Sequence, residues 1–361
     1  MSSFKPTDKV LLIRSAAIGD FLVCVPFVAH LINDCGIPRE NIGFFILNDF
    51  GQNSVEMTFG KGYFPSSNYL VVPPRPSGIL TNMAAIRSLG NRFHRLCYLP
   101  FCNESKFSLL KKRFAFSLAF GTSRNIEGFH DYDAPCISPS QYDSLFDLYD
   151  LKPSPARYLD LLKLDGSEWL GVNDFLDSLP LGPKVALYPN SKLAMKVWPI
   201  EKYVSLARSL RERFNASLLL IGAKEDGVYN QRLASALGGR GIWDIAGRFT
   251  IRQTIALLSR LDLIVGNDGA PLHMAALAGT PIVGLYTHKA PTGMWAPTVA
   301  TRFVTLEGNA SCGPCGLTEC EDPYCLTSLD VLMVFKYCHD MLLGNFIRES
   351  RAIDILPENL Q

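Results

Sequence analysis

The sequence has no surplus of charge of either sign. Lys and Arg number 35 against 34 Asp and Glu, a formal net charge of +1 over 361 residues. Proteins that hold nucleic acid through a broad basic face need excess cations, so no nucleic-acid partner is expected. It also lacks a long apolar run. The longest, Phe21–Ile32, contains Pro26 and His30 and is too short to span a bilayer. Near the amino end Lys5, Asp8, Lys9 and Arg14 interrupt the apolar residues and no small-residue cleavage signal follows, so no secretory leader is expected and the chain is placed in the cytoplasm. Two nucleotide signatures are missing as well. No Gly-x-Gly-x-x-Gly follows the first predicted strand and no Gly-x-x-x-x-Gly-Lys-Ser/Thr occurs, which argues against nicotinamide dehydrogenases and P-loop enzymes.

What is present is a chain 48% hydrophobic and 19% charged, the composition of a globular protein of two domains. Its 10 cysteines are expected as thiols, since cytoplasmic disulfides are uncommon. Strand and helix patterns alternate from the start. Val10–Arg14, Ile42–Leu47, Tyr69–Val72, Leu96–Leu99 and Phe116–Ala119 read as strands, with helices over Phe21–Asn33, Thr81–Phe93 and Ser105–Arg113. A second array follows: strands Val185–Tyr188, Ser217–Ile221 and Ile242–Ile245, with helices Ile200–Phe214, Gly227–Leu237 and Ile251–Ser259. The expectation is an α/β fold of two Rossmann-like, doubly wound domains facing a cleft. Residues 1–165 would form the first domain, 166–183 a linker closing on Leu179-Pro180-Leu181-Gly182-Pro183, 184–340 the second domain, and 341–361 a tail able to pack back on the first.

The densest signal is Leu263–Leu285, a strand, a polar turn, a helix and a strand in close succession. Parallel strands need such a crossover, which puts the turn Asn267-Asp268-Gly269-Ala270 at the carboxyl edge of a sheet and at a helix start. Backbone N–H groups from Gly269 to Leu272 (Pro271 has none) and the helix dipole would face an anion there, with phosphate the obvious one. The plainer alternative is that Asp268 only caps the helix and His273 is a satisfied core histidine.

Three other features carry chemistry. Asp20, in Ile18-Gly19-Asp20 after the first strand, is a carboxylate at a sheet edge that could take a proton from a substrate hydroxyl, or merely stabilise a helix start. Lys196 lies in the polar loop from Tyr188 to Pro199, with Asn190 and Ser191, where a cation could neutralise a diphosphate; a solvated loop lysine is the simpler account. Cys312, Cys315, Cys320 and Cys325 could hold a structural zinc or iron, or be packed thiols or a bridge formed on oxidation. Arg87, Arg92, His94, Arg95, Lys106, Lys111, Lys112 and Arg113 supply local positive charge, suited to an anionic saccharide or a membrane surface, unless they are ordinary solvated helix faces.

Four blocks in this order, VLLIRSAAIGDFLVCVPFVAHL, PNSKLAMKVWP, WDIAGRFTIRQTIALLSRLDLIVGNDGAPLHMAALAGTPIVGL and CGPCGLTECEDPYC, resemble glycosyltransferase family 9, the ADP-heptose:lipopolysaccharide heptosyltransferases. The resemblance implies a B-type glycosyltransferase fold, transfer with inversion and no required metal, from a nucleotide-sugar donor to an anionic saccharide or glycolipid acceptor, with peripheral contact to the inner face of the membrane. It implies Asp20 as general base, Lys196 as the holder of the donor phosphates, Ser191 near those phosphates, and Asp268 and His273 as the aspartate and histidine of the family's Asn-Asp-Thr-Gly-Pro-x-His motif. Glu225 or Asp226, after the strand Ser217–Ile221, would bond ribose hydroxyls, and adenine would rest near Ile242–Gly247. One departure stands out: Gly269-Ala270 replaces the family's Thr-Gly, which removes a hydroxyl and leaves more room than the full motif would for a sugar or nucleotide other than ADP-heptose, which stays the first expectation. A nucleotide-sugar epimerase and a non-catalytic sugar-nucleotide binding protein of the same fold are the competing expectations.

Overall fold

The computed structural model describes residues 3–15, 17–48, 53–74, 76–101, 105–129, 140–151, 158–308, 310–345 and 347–353. The chain divides into two compact units, Met1–Lys163 and Leu164–Gln361. Each is built on a wholly parallel sheet with helices in the connections, as the alternating pattern predicts.

In the first unit the strands are β1 (Val10–Ser15), β2 (Ile42–Leu47), β3 (Tyr69–Val72), β4 (Arg95–Tyr98) and β5 (Ile126–Glu127), in the order β3-β2-β1-β4-β5. β1 lies between β2 and β4, so the strand order reverses beside it, the usual place for a ligand in a doubly wound sheet. One expected strand is absent. Phe116–Ala119 is the last part of a helix, Lys106–Phe120, whose Ser105 cap accepts the N–H of Ser108 at 3.3 Å. Phe116, Ala119 and Phe120 share one helical face and are buried against the sheet, a spacing that a four-residue apolar run does not reveal. The expected helix Phe21–Asn33 is two, Ile18–Leu22 and Val25–Asn33, the second opened by Pro26, which has no N–H to continue the first. Thr81–Phe93 likewise divides into Pro76–Thr81 and Met83–Gly90.

The second unit has seven strands: β6 (Lys184–Tyr188), β7 (Ser217–Leu220), β8 (Ile242–Asp244), β9 (Leu263–Asn267), β10 (Ile282–Leu285), β11 (Phe303–Gly308) and β12 (Arg348–Ile353). Their order is β12-β11-β10-β9-β6-β7-β8, and the reversal falls between β6 and β9. The core is aliphatic: Val185, Leu187, Leu218, Leu220, Val265 and Leu285 are fully buried beneath Leu206 and Leu210 of the helix Ile200–Phe214. Side chains of that size each contribute about 1.5–3 kcal/mol on burial.

Two expectations about boundaries need correction. Residues 166–177 are not linker but a helix, Gly166–Asp177, capped by Asp165, whose carboxylate accepts the N–H groups of Ser167 and Glu168. Glu168 then receives two bonds from Arg252, at 2.6 and 2.8 Å, which fasten this helix to Ile251–Leu258 of the second unit. Nor does the second sheet end at 340, because 348–353 pair with β11 as an edge strand; 354–361 lie outside the described residues.

Candidate functional site

At the reversal in the second sheet, Tyr188 ends β6 opposite Gly266 of β9. The loop leaving β6 is held down by Asn267, which is fully buried. Its Oδ1 accepts the N–H of Trp198 at 3.1 Å and the hydroxyl of Tyr203 at 3.0 Å, and its Nδ2 donates to the carbonyl of Asn190 at 3.3 Å. Trp198 is itself buried and donates its indole N–H to the carbonyl of Leu329. A buried amide with three partners leaves the loop little freedom. Its short 3-10 turn Ala194–Lys196 therefore delivers the Lys196 ammonium onto the carboxylate of Asp268, with which it forms an ion pair of largely covered side chains.

The turn after β9 is open to an anion. The helix Ala270–Ala278 begins at Gly269 and no side chain caps it, so the plainer account of Asp268 as a helix cap is not what forms; Asp268 is engaged with Lys196 instead. The first amides of an uncapped helix point out of its start, here at Gly269 and Ala270. Leu272 itself closes the turn by donating to the carbonyl of Gly269 at 3.1 Å. Tyr188 accounts for the unusual Gly269. A Cβ at 269 would lie 2.7 Å from Cε1 of its ring, so the threonine usual in the family motif has no room here. The departure is thus compensated by an aromatic ring under the turn.

His273, on the first turns of that helix, is buried, with its ring centroid 6.0 Å from that of Trp295. Burial, helped by the Lys196 charge and opposed by Asp268, pushes its pKa down from 6.5 to about 4. The histidine is neutral at neutral pH. As pH falls, the unfolded chain binds the proton before the folded one does, so the stability contribution is complete above 6.5 and is lost between 6.5 and about 4. Over that window the native protein should lose up to about 3 kcal/mol more than a His273→Gln variant. Urea midpoints measured across the range check this, and parallel curves would contradict it.

Beside the turn runs a polar chain that the sequence did not announce. Asn190 donates to Asn230 at 3.1 Å, and Asn230 to Asp244 at 2.9 Å, joining the carboxyl ends of β6 and β8 through the helix Gly227–Ala236. Ser191, next in the loop, accepts the N–H of Leu193 at 3.4 Å. The two acids expected to meet ribose behave differently. Glu225 is exposed, whereas Asp226 turns back to accept the N–H of Ala223 at 2.8 Å and its pKa is raised by burial. Gly222 and Gly247 have positive φ and approach each other closely, with the N–H of Gly247 bonded to the carbonyl of Gly222 at 3.0 Å. A Cβ at Gly247 would meet the Lys224 backbone at 2.8 Å, so a side chain there is excluded on both counts.

In the first unit Asp20 sits half-buried in Ile18–Leu22, its carboxylate accepting the N–H of Ala17 at 3.3 Å. It does stabilise a helix start. Several expected acceptor cations are structural instead: Arg95 pairs with Asp8 at 3.0 Å and Glu127 at 2.6 Å, and His94 with Asp8 at 3.2 Å. In the second unit, the cysteine loop is tied to residues 288–289 by backbone bonds from Cys315 and Gly316, and Cys325 accepts the N–H of His288 at 3.4 Å. The Cys325 thiol is pushed up, first by burial and further by Cys312, Cys315 and Cys320. Among the described residues no three His, Cys, Asp or Glu side chains gather as a ligand set.

The model of the family described as "Glycosyltransferase family 9 (heptosyltransferase)" matches residues 167–324, which contain the whole Lys196–Asp268 region. Over those residues, fewer than half of the chain, the sequence is similar to glycosyltransferase family 9. The chain is 32% identical over 105 residues to the lipopolysaccharide core heptosyltransferase OpsX of Haemophilus influenzae, covering 28% of this chain and 30% of that protein. The curated relative is therefore matched over less than a third of its own length. Solved structures align almost throughout. The ADP-heptose lipopolysaccharide heptosyltransferase II of E. coli superposes with a TM-score of 0.62 at 18% identity, over 93% of this chain and 98% of that one. A family 9 glycosyltransferase from Veillonella parvula gives 0.70 at 15% identity, over 95% and 99%. At such identities these likenesses establish the fold alone, two parallel-sheet α/β units.

Proposed function

We propose that this protein is an inverting glycosyltransferase that moves a heptose from ADP-heptose onto a lipopolysaccharide core or related surface-glycan acceptor. The observation that carries the reading is the contact of Lys196 with Asp268 beside an uncapped helix start at the strand-order reversal. A diphosphate brought to the Gly269 and Ala270 amides would draw the Lys196 ammonium onto itself and release the Asp268 carboxylate toward the sugar. The departing nucleotide gains negative charge as its bond to the anomeric carbon breaks, and a cation with fixed amide dipoles stabilises that charge more in the transition state than before it. Asp20 would take the proton of the acceptor hydroxyl as the new bond forms on the opposite face. Exposed Glu225 is the better placed of the two acids for ribose hydroxyls, since Asp226 is engaged with Ala223. His273, neutral, would serve the sugar side as a hydrogen-bonding group rather than a charge.

The acceptor belongs to the first unit in this reading, as an anionic saccharide or glycolipid reached at the inner face of a membrane. Among the described residues no helix is long and apolar enough to cross one. The deciding experiment is a thermal-shift panel of ADP-heptose with UDP- and GDP-sugars. A donor present at a hundredfold its dissociation constant stabilises the folded protein by about 2.7 kcal/mol, so ADP-heptose should raise the melting temperature by several degrees and the other sugars should not. A shift only with a UDP- or GDP-sugar would move the donor assignment, and sugar interconversion without acceptor would point to an epimerase.

A further inference from the structure

The first unit contains a cavity of about 550 Å³ beyond the carboxyl ends of β1 and β2, between the helices Pro76–Thr81, Met83–Gly90 and Lys106–Phe120. Its volume is that of a small-molecule site. The walls are apolar, from Leu47, Ile79, Met83, Phe116 and Ala119, and no carboxylate is among the described lining residues. The charged groups that do line it are Lys111 and Lys112. Lys112 donates to the Tyr98 hydroxyl at 3.1 Å, and the Lys111 ammonium lies 4.1 Å from the centre of the Phe107 ring.

The outer face of the same helix continues this character. Phe107, Leu110, Phe114 and Leu118 follow helical spacing and are exposed by 67%, 52%, 75% and 44%. Leu80, at the other side of the cavity, is exposed by 58%. An apolar stripe flanked by Lys111 and Arg113 is the pattern of a helix at a lipid boundary, and it is continuous with the cavity through Phe114 and Leu118.

We propose that this cavity takes an acyl chain of an anionic lipid, with the lipid's phosphate or carboxylate held at Lys111 and Lys112. An apolar hole whose described walls carry cations and no acids selects an amphiphile of negative charge over a free sugar, which would leave its hydroxyls unpaired, and over a free anion, which would leave the walls wet. The assignment deepens the acceptor role given to this unit above and rests on it only for its biological meaning: the acceptor would be recognised by its lipid as well as its saccharide.

The test uses the full chain and dodecyl phosphate below its micelle concentration, titrated calorimetrically beside dodecyl maltoside and inorganic phosphate. One dodecyl phosphate should bind per chain, about tenfold or more tighter than the maltoside, with inorganic phosphate not competing. Ala115→Trp, which puts an indole into the cavity, should weaken binding at least about tenfold while the thermal shift given by ADP is kept. Ser108→Phe, from another turn of the helix, repeats the test should the first variant fail to fold. Lys111→Ala with Lys112→Ala should erase the preference for the anionic head. Binding unchanged in both filled variants, no saturable binding, or adsorption to anionic vesicles alone would overturn the proposal. Because the probe is no glycosyl acceptor, absent transfer with intact binding would count against the transferase reading and leave the cavity assignment standing.

Discussion

Asp20→Ala is expected to lower turnover by about two orders of magnitude or more with donor affinity retained. The carboxylate has two tasks, however, since it also accepts the N–H of Ala17 at the helix start. Loss of that bond alone would cost about 1 kcal/mol of stability and would not slow chemistry to this degree. Asp20→Asn separates the tasks. An amide oxygen can still accept from Ala17 but cannot remove a proton, so the Asn variant should melt near the native temperature and be as slow as the Ala variant. Initial rates with saturating donor and acceptor, taken beside melting curves, decide it. Native turnover in Asp20→Asn would remove the base assignment outright.

Lys196→Ala should act on the donor and on the fold together. Without the ammonium the diphosphate loses its cation, and the Asp268 carboxylate, whose side chain is only 10% exposed, remains to repel it. The apparent donor constant should rise at least about tenfold, and turnover should fall by about 10²–10³, the usual effect of deleting one group that meets charge formed in the transition state. Breaking a largely buried pair from one side is also destabilising, by up to about 3–5 kcal/mol. Asp268→Asn on top of Lys196→Ala should return most of that stability, because no carboxylate is then left unpaired, without returning donor affinity. The two effects are read separately, by urea unfolding and by donor kinetics. A change confined to acceptor kinetics would contradict the role of Lys196.

How much of this was legible beforehand differs from element to element. Ile42–Leu47, Tyr69–Val72 and Ile200–Phe214 fold within the bounds their periodicity predicts. The helix Lys106–Phe120 was half misread, because its last turns are apolar on every side. One face is covered by the sheet and the other is left exposed at Phe114 and Leu118, so local hydrophobicity carried no helical period. β11 and β12 also escaped notice. β12 is polar, Arg348 to Ile353, and is a strand because β11 offers an unpaired edge, which no local pattern can express.

For the site, the chain order of residues was enough to single out Asp20, Lys196, Asp268, Gly269 and His273, since a turn after a strand and before a helix dictates where backbone donors point. Alternation of apolar runs likewise determined the two α/β arrays by itself, because the period of burial is written along the chain. Only the tertiary structure decided that Lys196 and Asp268 engage each other, that Asn267 anchors the loop between them, and that the Tyr188 ring takes the space a threonine at 269 would need. Lys196 and Asp268 are 72 positions apart, and Asn190 and Asn267 are 77. Ion pairing, amide satisfaction and steric exclusion act over a few ångströms of space, and separation along a sequence does not encode such distances.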